Sequence, residues 1–410
     1  GHRVQIFDSN GNYLSQFGTL GTGDGEFDTV EGITMNADGN ILVLDWANDR
    51  IQIFDSACLG LVTDSDGDGV DDTEDNCPNT TTAQASSADF ISDCTANAST
   101  CGCTDADNDG YFPDADTSDP TYDPDDTCDQ IPNGSGSCSG GSGECSYISE
   151  FGTLGTNNGQ FNYPYDLAID ANNNILVVDH FNHRIQIFDN NNNYINQFGM
   201  YGTSDGQLDY PRNIAVASNG NILIIDNFKD KVQIFDSNGS YLSSFGTSGT
   251  GNGQFNSPFA ITVAPNGNII VLDVFPTRVQ IFDSNGNYLS QFGSSGSGNG
   301  QFNNPNDVAV APNGNILVTD VSNHRVQIFD SNGNYLSQFG SFGSGDGEFN
   351  NPWAITVASN GVILVTEQNN DRVQVFDSSG TYISQFGVNG SSNGEFNDPC
   401  LLYTSPSPRD

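Results

Sequence analysis

Residues 305–340 read PNDVAVAPNGNILVTDVSNHRVQIFDSNGNYLSQFG, and this stretch decides the fold. It contains four short apolar runs, at 307–311, 316–320, 325–330 and 335–340, separated by turn residues. The Asn-Gly pairs in the turns supply the positive backbone φ that tight hairpins need. Apolar residues on both sides of the second run are typical of a sheet that is packed on both faces. The stretch therefore predicts one sheet of four antiparallel strands.

The same stretch recurs along the chain at a fixed spacing. The basic residue that opens the third strand recurs every 47 residues from Arg184 to Arg372, and Arg3 and Arg50 are also 47 apart. Arg50 and Arg184 are 134 residues apart, so 87 extra residues interrupt that unit. Repetition at this period indicates a repeat architecture, in which each unit buries its faces against its neighbours.

Four phrases of the repeat carry a family resemblance. Pro-x-x-Ile-Ala-Val, Asn-Gly-Asn-Ile-Leu-Val-x-Asp, Asn-His-Arg-Val-Gln-Ile-Phe-Asp and Gln-Phe-Gly resemble the NHL repeat. The resemblance implies an all-β, six-bladed β-propeller, and six complete four-strand units can be counted between Phe27 and Gly387. Residues 1–18 supply two strands of a further unit, so seven blades is the alternative. We predict a discontinuous propeller domain over residues 1–56 and 146–397, interrupted by an insert at residues 57–145.

An acidic residue lies five positions before the Arg that opens the third strand in most units. The pairs are Asp45 and Arg50, Asp179 and Arg184, Asp273 and Arg278, Asp320 and Arg325, and Glu367 and Arg372. Because the two residues face each other across a short loop, we expect them to form ion pairs. Their recurrence from blade to blade favours a structural clamp over a charged binding ring.

Charge and composition exclude some functions. The formal net charge is -42, with only 10 Lys and Arg among 410 residues, so the chain would repel a phosphate backbone and nucleic acid is excluded as a partner. No stretch approaches the roughly 20 apolar residues that span a bilayer. Gly1 lies in the middle of a repeat, and residues 400–410 leave the repeat and resemble a translated sequencing adapter. We therefore expect a metagenomic fragment with an artefactual tail.

The insert differs sharply in composition from the repeats. It holds 18 Asp, 2 Glu and no Lys or Arg, and eight of the nine cysteines. An even number of cysteines in a small polar module predicts disulfides and an extracellular or cell-surface location. Zinc is the competing interpretation, but only Cys101 and Cys103 are closely spaced. Cys58 and Cys145 flank the insert, and we expect a disulfide between them to close its neck.

Two acidic runs in the insert have the spacing of calcium loops. In the first, carboxylates occupy positions 1, 3, 5, 9 and 12, Gly is at 6, and the residue at 7 offers a backbone carbonyl. With the following Asn-Cys-Pro, this run resembles a thrombospondin type 3 repeat. The second run has a Pro at position 9, and a solvated acidic linker is the alternative for both. The predicted calcium ligands are Asp64, Asp66, Asp68, Val70, Asp72 and Asp75 in the first loop, and Asp105, Asp107, Asp109, Tyr111 and Asp116 in the second.

Ligands of propellers usually meet the face formed by the loops that enter the innermost strand and those that link the second strand to the third. Residues that vary there within a constant frame are candidates for a ligand-binding funnel. The candidates are Glu31, Trp46, Tyr165, His180, Phe181, Arg212, Phe228, Phe259, Phe275, Asn306 and Trp353. The alternative to a binding role is that these exposed positions vary by neutral drift, without a function.

Sequence leaves the question of catalysis open. Some relatives with this fold are lyases or hydrolases that hold a metal in the funnel through His or acidic residues. Here His2, His183 and His324 share one repeat position, which indicates a structural role and leaves His180 alone in the funnel. We therefore expect an extracellular, non-enzymatic scaffold that binds a protein or glycan, with Ca²⁺ in the insert. A hydrolase or lyase with a funnel metal is the alternative.

Overall fold

A computed structural model of the chain describes residues 2–7, 13–36, 40–54, 103–104, 127–128, 147–387 and 389. The chain divides into two compact units. One comprises residues 1–56 and 145–410, and the other comprises residues 57–144.

The first unit is built from short antiparallel strands. It begins with a hairpin of β1 (Val4–Phe7) and β2 (Tyr13–Phe17), followed by the short parallel pair β3 (Thr19–Leu20) and β4 (Glu26–Phe27). Blade 1 consists of β5 (Val30–Met35), β6 (Ile41–Asp45), β7 (Arg50–Phe54) and, beyond the insert, β10 (Tyr147–Phe151).

Five further blades follow, each of four strands in sequence order. Blade 2 consists of β11 (Pro164–Ile169), β12 (Ile175–Asp179), β13 (Arg184–Phe188) and β14 (Tyr194–Phe198). Blade 3 consists of β15 (Pro211–Val216), β16 (Ile222–Asp226), β17 (Lys231–Phe235) and β18 (Tyr241–Phe245). Blade 4 consists of β19 (Pro258–Val263), β20 (Ile269–Asp273), β21 (Arg278–Phe282) and β22 (Tyr288–Phe292). Blade 5 consists of β23 (Pro305–Val310), β24 (Ile316–Asp320), β25 (Arg325–Phe329) and β26 (Tyr335–Phe339). Blade 6 consists of β27 (Pro352–Val357), β28 (Ile363–Glu367), β29 (Arg372–Phe376) and β30 (Tyr382–Phe386).

This architecture is the predicted all-β, six-bladed propeller. The only helices among the described residues are single 3-10 turns between the second and third strands of four blades, at Trp46–Asn48, His180–Asn182, Asn227–Lys229 and Val321–Asn323. Each lies on the same edge of its blade as the loop that enters the innermost strand. The loops that carry the funnel candidates therefore share one face of the propeller.

Strand bounds in blade 5 differ slightly from the prediction. The second strand matches 316–320, whereas the first begins at Pro305 because that residue pairs with Asp320 across the sheet. The last strand ends before Gly340, whose φ of 94° ends the extended backbone. Asp330 is in a turn rather than in β25, because its carboxylate accepts the N–H groups of Asn332 and Asn334.

Aromatic rings fill the space between consecutive blades. In blades 1 to 5, the Phe that ends the fourth strand packs on the Phe that ends the third strand of the next blade, as Phe198 does on Phe235 with ring centres 4.5 Å apart. Phe17 of β2 packs on Phe54 of blade 1 in the same way, at 4.0 Å. A further Phe from the loop before most innermost strands, such as Phe302, is fully buried beside these rings. Apolar burial between blades therefore stabilises the scaffold that holds the loops.

Little of the second unit is described. Its two short strands, β8 (Cys103–Thr104) and β9 (Thr127–Cys128), pair antiparallel, with Cys103 opposite Cys128. The predicted disulfide between Cys58 and Cys145 lies outside the described residues, as does the expected adapter-derived tail at residues 400–410.

Candidate functional site

The five predicted acidic–Arg pairs form, and they anchor the loops of the funnel face. In the four Asp–Arg pairs, N–O distances run from 2.7 to 3.2 Å, and Arg372 pairs with Glu367. In blade 5, Arg325 Nη2 also donates to the carbonyl oxygens of Gly298 and Gln301, at 2.8 Å each. Each clamp thus fixes the loop that precedes the innermost strand of its own blade, which confirms the structural interpretation.

Blade 3 replaces this clamp with a lysine from a different position. Asp226 pairs with Lys229 of the 3-10 turn at 3.0 Å, and not with Lys231, which opens the third strand. The Lys229 ammonium also donates to the carbonyl of Gln207 at 2.8 Å. The loop before Pro211 is therefore held in place as in the other blades, but by the ammonium group of Lys229 in the 3-10 turn instead of an arginine.

The histidines at the shared repeat position join neighbouring blades. His183 Nδ1 accepts the backbone N–H of Tyr210 at 3.1 Å, and His324 Nδ1 accepts that of Asn351 at 3.2 Å. Because each Nδ1 accepts a hydrogen bond, it carries no proton. These contacts support the structural role that the repeat position indicated.

Three funnel candidates from consecutive innermost strands are in contact. The guanidinium carbon of Arg212 lies 3.8 Å from the ring centre of Phe259 and 5.0 Å from that of Tyr165. Arg212 Nη2 also donates to Tyr165 Oη at 2.8 Å. On the other side of the ring, Asn306 Nδ2 donates to the carbonyl of Trp353 at 3.2 Å. Side chains at this position therefore link neighbouring blades at the mouth of the funnel.

Glu31 occupies the same position in blade 1. Burial raises the pKa of its carboxyl, and the nearby positive charge of Arg212 opposes this rise. The funnel mouth thus contains an acidic side chain, Glu31, and a basic one, Arg212, whose charges interact.

A second set of rings forms a continuous series over blades 1 to 3. Ring centres are 4.6 Å apart for Trp46 and Tyr163, 5.0 Å for Tyr163 and Phe181, 5.7 Å for Phe181 and Tyr210, and 4.7 Å for Tyr210 and Phe228. We call these five residues the aromatic ribbon. Phe181 is 42% exposed and Phe228 68% exposed. The ribbon is an accessible aromatic surface, and Phe275 is exposed on blade 4 outside this series.

Sequence reasoning missed Tyr163 and Tyr210. Both directly precede the Pro that begins an innermost strand, and both have positive φ, of 54° and 53°. Blades 5 and 6 place Asn304 and Asn351 in the same conformation, which Asn tolerates better than a bulky residue. The signal available in the sequence was the variation of this position within the repeat.

His180 lies between the ribbon and the funnel mouth. Its ring centre is 4.9 Å from that of Phe181 and 5.4 Å from that of Tyr165. Nδ1 lies 2.8 Å from the carbonyl oxygen of Pro211, so Nδ1 carries the proton and Nε2 is left with a lone pair. Burial lowers the pKa of His180, although the hydrogen bond to Pro211 acts in the opposite direction. The lowered pKa favours the neutral ring at pH 7.

Two half-buried carboxylates that sequence reasoning also missed tie innermost strands together. Asp166 of blade 2 accepts the N–H of Ile214 in blade 3, and Asp307 of blade 5 accepts that of Ile355 in blade 6, at 3.0 Å each. Burial raises the pKa of each carboxyl to about 6. These carboxylates therefore join the innermost strands of neighbouring blades.

The predicted calcium ligands and the described residues do not overlap. Within the described ranges, no group of three or more His, Cys, Asp or Glu side chains is arranged to hold a metal ion. All predicted calcium ligands, from Asp64 to Asp75 and from Asp105 to Asp116, lie outside those ranges.

Family comparison identifies the repeats. The NHL repeat matches at residues 161–188, 302–329 and 349–376, and a six-bladed β-propeller family matches at residues 202–279. The chain carries NHL repeats. The clamp of Asp320 and Arg325 and the ring packing of Phe329 lie within the second matched repeat, so the elements that fix the funnel loops belong to this repeat. No curated protein matches the chain.

Solved structures share the fold at low sequence identity. A protein of unknown function from Desulfotomaculum acetoxidans has a TM-score of 0.55 and 14% identity, with 97% of this chain and 94% of that chain covered. A streptogramin B lyase has a TM-score of 0.53 and 11% identity, with 92% and 88% covered. A catalytically inactive virginiamycin B lyase from Staphylococcus aureus with quinupristin has a TM-score of 0.50 and 10% identity, with 86% and 82% covered. These likenesses show the propeller fold. In the described part of the chain, no helix is long and apolar enough to cross a membrane.

Proposed function

We propose that this protein is an extracellular, non-enzymatic binding scaffold whose propeller face recognises a protein or a glycan. The aromatic ribbon carries the proposal. Large aromatic side chains exposed together on one surface are characteristic of binding sites, because they bury much apolar area at a small cost in side-chain entropy. The blade clamps hold the loops of this face in place, so the surface is preorganised.

Backbone conformation at the ribbon supports this proposal. Tyr210 adopts a left-handed φ that disfavours bulky residues, although Asn351 satisfies the same turn in blade 6. A large ring at an unfavourable backbone position is typical of a functional site, because such strain lowers stability.

The insert contributes a separate, structural function in this proposal. Calcium bound by Asp64 to Asp75 and by Asp105 to Asp116 would neutralise carboxylates that otherwise repel one another. Disulfides among the eight cysteines, including one between Cys58 and Cys145, would stabilise the insert outside the cell. The extracellular location rests on these cysteines.

A hydrolase or lyase is the second candidate, and His180 favours it. A neutral imidazole with a free Nε2 at a funnel mouth is suited to accept a proton. Catalysis with a funnel metal would need further ligands beside it.

Metal analysis of the full chain distinguishes the two candidates. For the scaffold, we expect calcium that a chelator removes while the β-sheet signal of the propeller in circular dichroism is unchanged. One tightly held zinc or iron per chain would instead favour the enzyme.

Binding to peptide and glycan arrays then tests whether the aromatic ribbon is the binding surface. We compare the wild type with the Phe181→Ala/Phe228→Ala variant, and use Phe342→Ala as the control because Phe342 is 69% exposed outside the ribbon. Loss of the bound features in the ribbon variant alone supports the proposal. Equal binding by all three proteins contradicts it.

A further inference from the structure

Two carboxylates lie at the edge of the aromatic ribbon without a Lys or Arg partner among the described residues. Asp209 directly precedes Tyr210, and Asp28 occupies the same repeat position in blade 1. Their side chains are 21% and 49% exposed. Among the described residues, neither pairs with Lys or Arg. Their ionic neighbours are histidines instead: His2 Nδ1 lies 3.9 Å from Asp28 Oδ1, and His183 Nδ1 lies 3.6 Å from Asp209 Oδ1.

The histidine next to Asp209 does not neutralise it. His183 Nδ1 lies 3.6 Å from Asp209 Oδ1, but this nitrogen already accepts the N–H of Tyr210 and so carries no proton toward the carboxylate. Asp209 Oδ1 is buried and receives no hydrogen bond in the part of the chain that the structure describes. Because the Asp209 side chain is 21% exposed as a whole, a cation from outside the molecule would approach its accessible part rather than Oδ1.

The basic side chains around this face are already committed. The clamp arginines are buried against carboxylates, and the Lys229 ammonium is held by Asp226. Arg212 is stacked between rings in the funnel. An anionic partner would therefore find no free cation among the described residues of this face. The net charge of -42, of which -22 lies outside the insert, attracts a cationic partner instead.

The funnel itself shows how a cation is bound next to the ribbon. Arg212 lies over Phe259 at 3.8 Å, which is a close cation–π contact. The exposed rings of Phe181 and Phe228 have no Lys or Arg over them within the described ranges. They offer the same chemistry to a guanidinium or ammonium group from a partner.

We propose that the aromatic ribbon, with Asp28 and Asp209, binds a basic polypeptide segment whose Arg and Lys side chains stack on Phe181 and Phe228. The ribbon extends over three blades, which fits a chain with several cationic groups better than a single small cation. This inference rests on the proposed binding function of the face and specifies the class of its partner.

The test uses a dye-labelled hexa-arginine peptide titrated into the full chain, in buffer containing calcium, with fluorescence anisotropy as the readout. We expect Phe181→Ala/Phe228→Ala to weaken binding about tenfold, because two exposed cation–π contacts are lost. Asp209→Asn should weaken binding about threefold and reduce its dependence on salt. The matched control Phe342→Ala should bind as the wild type does.

Other results would overturn the inference. Hexa-arginine that binds the wild type and the ribbon variant equally would be attracted by net charge alone. Ribbon-dependent binding of the neutral oligosaccharide cellohexaose, with ribbon-independent binding of the peptide, would replace the basic segment with a glycan and leave the proposed binding function standing. Thermal unfolding of each variant confirms folding, which we expect because the substituted rings are exposed.

Discussion

The guanidinium carbon of Arg212 lies 3.8 Å from the centre of the Phe259 ring, although the two residues belong to different blades. The same side chain donates to Tyr165 Oη in the preceding blade and lowers the pKa of Glu31, which burial raises. One basic residue of blade 3 therefore contacts the innermost strands of blades 2 and 4 and acts electrostatically on that of blade 1.

Removing the charge of Arg212 should change the titration of Glu31. In Arg212→Gln, we expect a further rise in the pKa of the Glu31 carboxyl, because burial then acts without the opposing charge. NMR titration of the labelled carboxyl measures this shift. Arg212→Lys keeps the charge and should leave the Glu31 pKa closer to that of the wild type. An unchanged Glu31 titration in Arg212→Gln would contradict the coupling.

The backbone at Tyr210 gives a second prediction. Tyr210→Asn and Tyr210→Ala both remove the ring, but Asn tolerates the φ of 53° better than Ala. We expect the Asn variant to be more stable by about 1 kcal/mol, since the left-handed conformation costs roughly 1–2 kcal/mol for an ordinary residue. Urea unfolding measures the difference. Equal stability of the two variants would show that this position is not strained.

The clamp should be much more important for stability than a surface ion pair. Asp320→Ala leaves the Arg325 guanidinium buried without its carboxylate, and we expect a loss of about 3–5 kcal/mol in the free energy of unfolding. The control is Asp205→Asn, whose exposed carboxylate lies 3.9 Å from the Lys231 ammonium and should contribute less than about 1 kcal/mol. Urea unfolding followed by circular dichroism compares them. A loss in Asp320→Ala no larger than that of the control would refute the clamp.

Asp307 predicts how stability depends on pH. The pKa of its carboxyl is about 6 in the folded protein and near the ordinary value of 3.8 in the unfolded chain, so the folded state holds the proton more tightly. This contribution to stability is present below about pH 4 and is lost as the pH rises through about 6. Asp307→Asn removes it.

Urea unfolding at several pH values tests this expectation. Relative to Asp307→Asn, the wild type should lose stability between about pH 4 and pH 7. Asp166→Asn should behave similarly, since burial raises the pKa of Asp166 to about 6 as well. Parallel stability profiles for wild type and variants would contradict the raised pKa.

The sequence alone was sufficient to predict the strands of a blade and the ion pair that clamps its loop. Strands such as Ile316–Asp320 lie between turns whose Asn and Gly residues act locally, so their bounds follow from neighbouring residues. Asp320 and Arg325 are only five positions apart and face each other across one loop, so their pairing also followed from local spacing. Repetition of these local signals predicted a repeat architecture, and the resemblance to the NHL repeat implied six blades, with seven as the alternative.

Tertiary structure decided which of the varying residues meet. Tyr165 and Arg212 lie 47 positions apart, and Asp307 and Ile355 lie 48 apart, yet each pair is in hydrogen-bonding contact. Closing the blades around an axis brings equivalent positions of consecutive repeats together, and no local pattern records which side chains then touch. Hydrophobic periodicity and turn-forming residues act within one repeat, so the structures that they specify can be predicted from the sequence. The aromatic ribbon and the inter-blade contacts of Asp166 and Asp307 depend on packing between repeats, which only the assembled propeller defines.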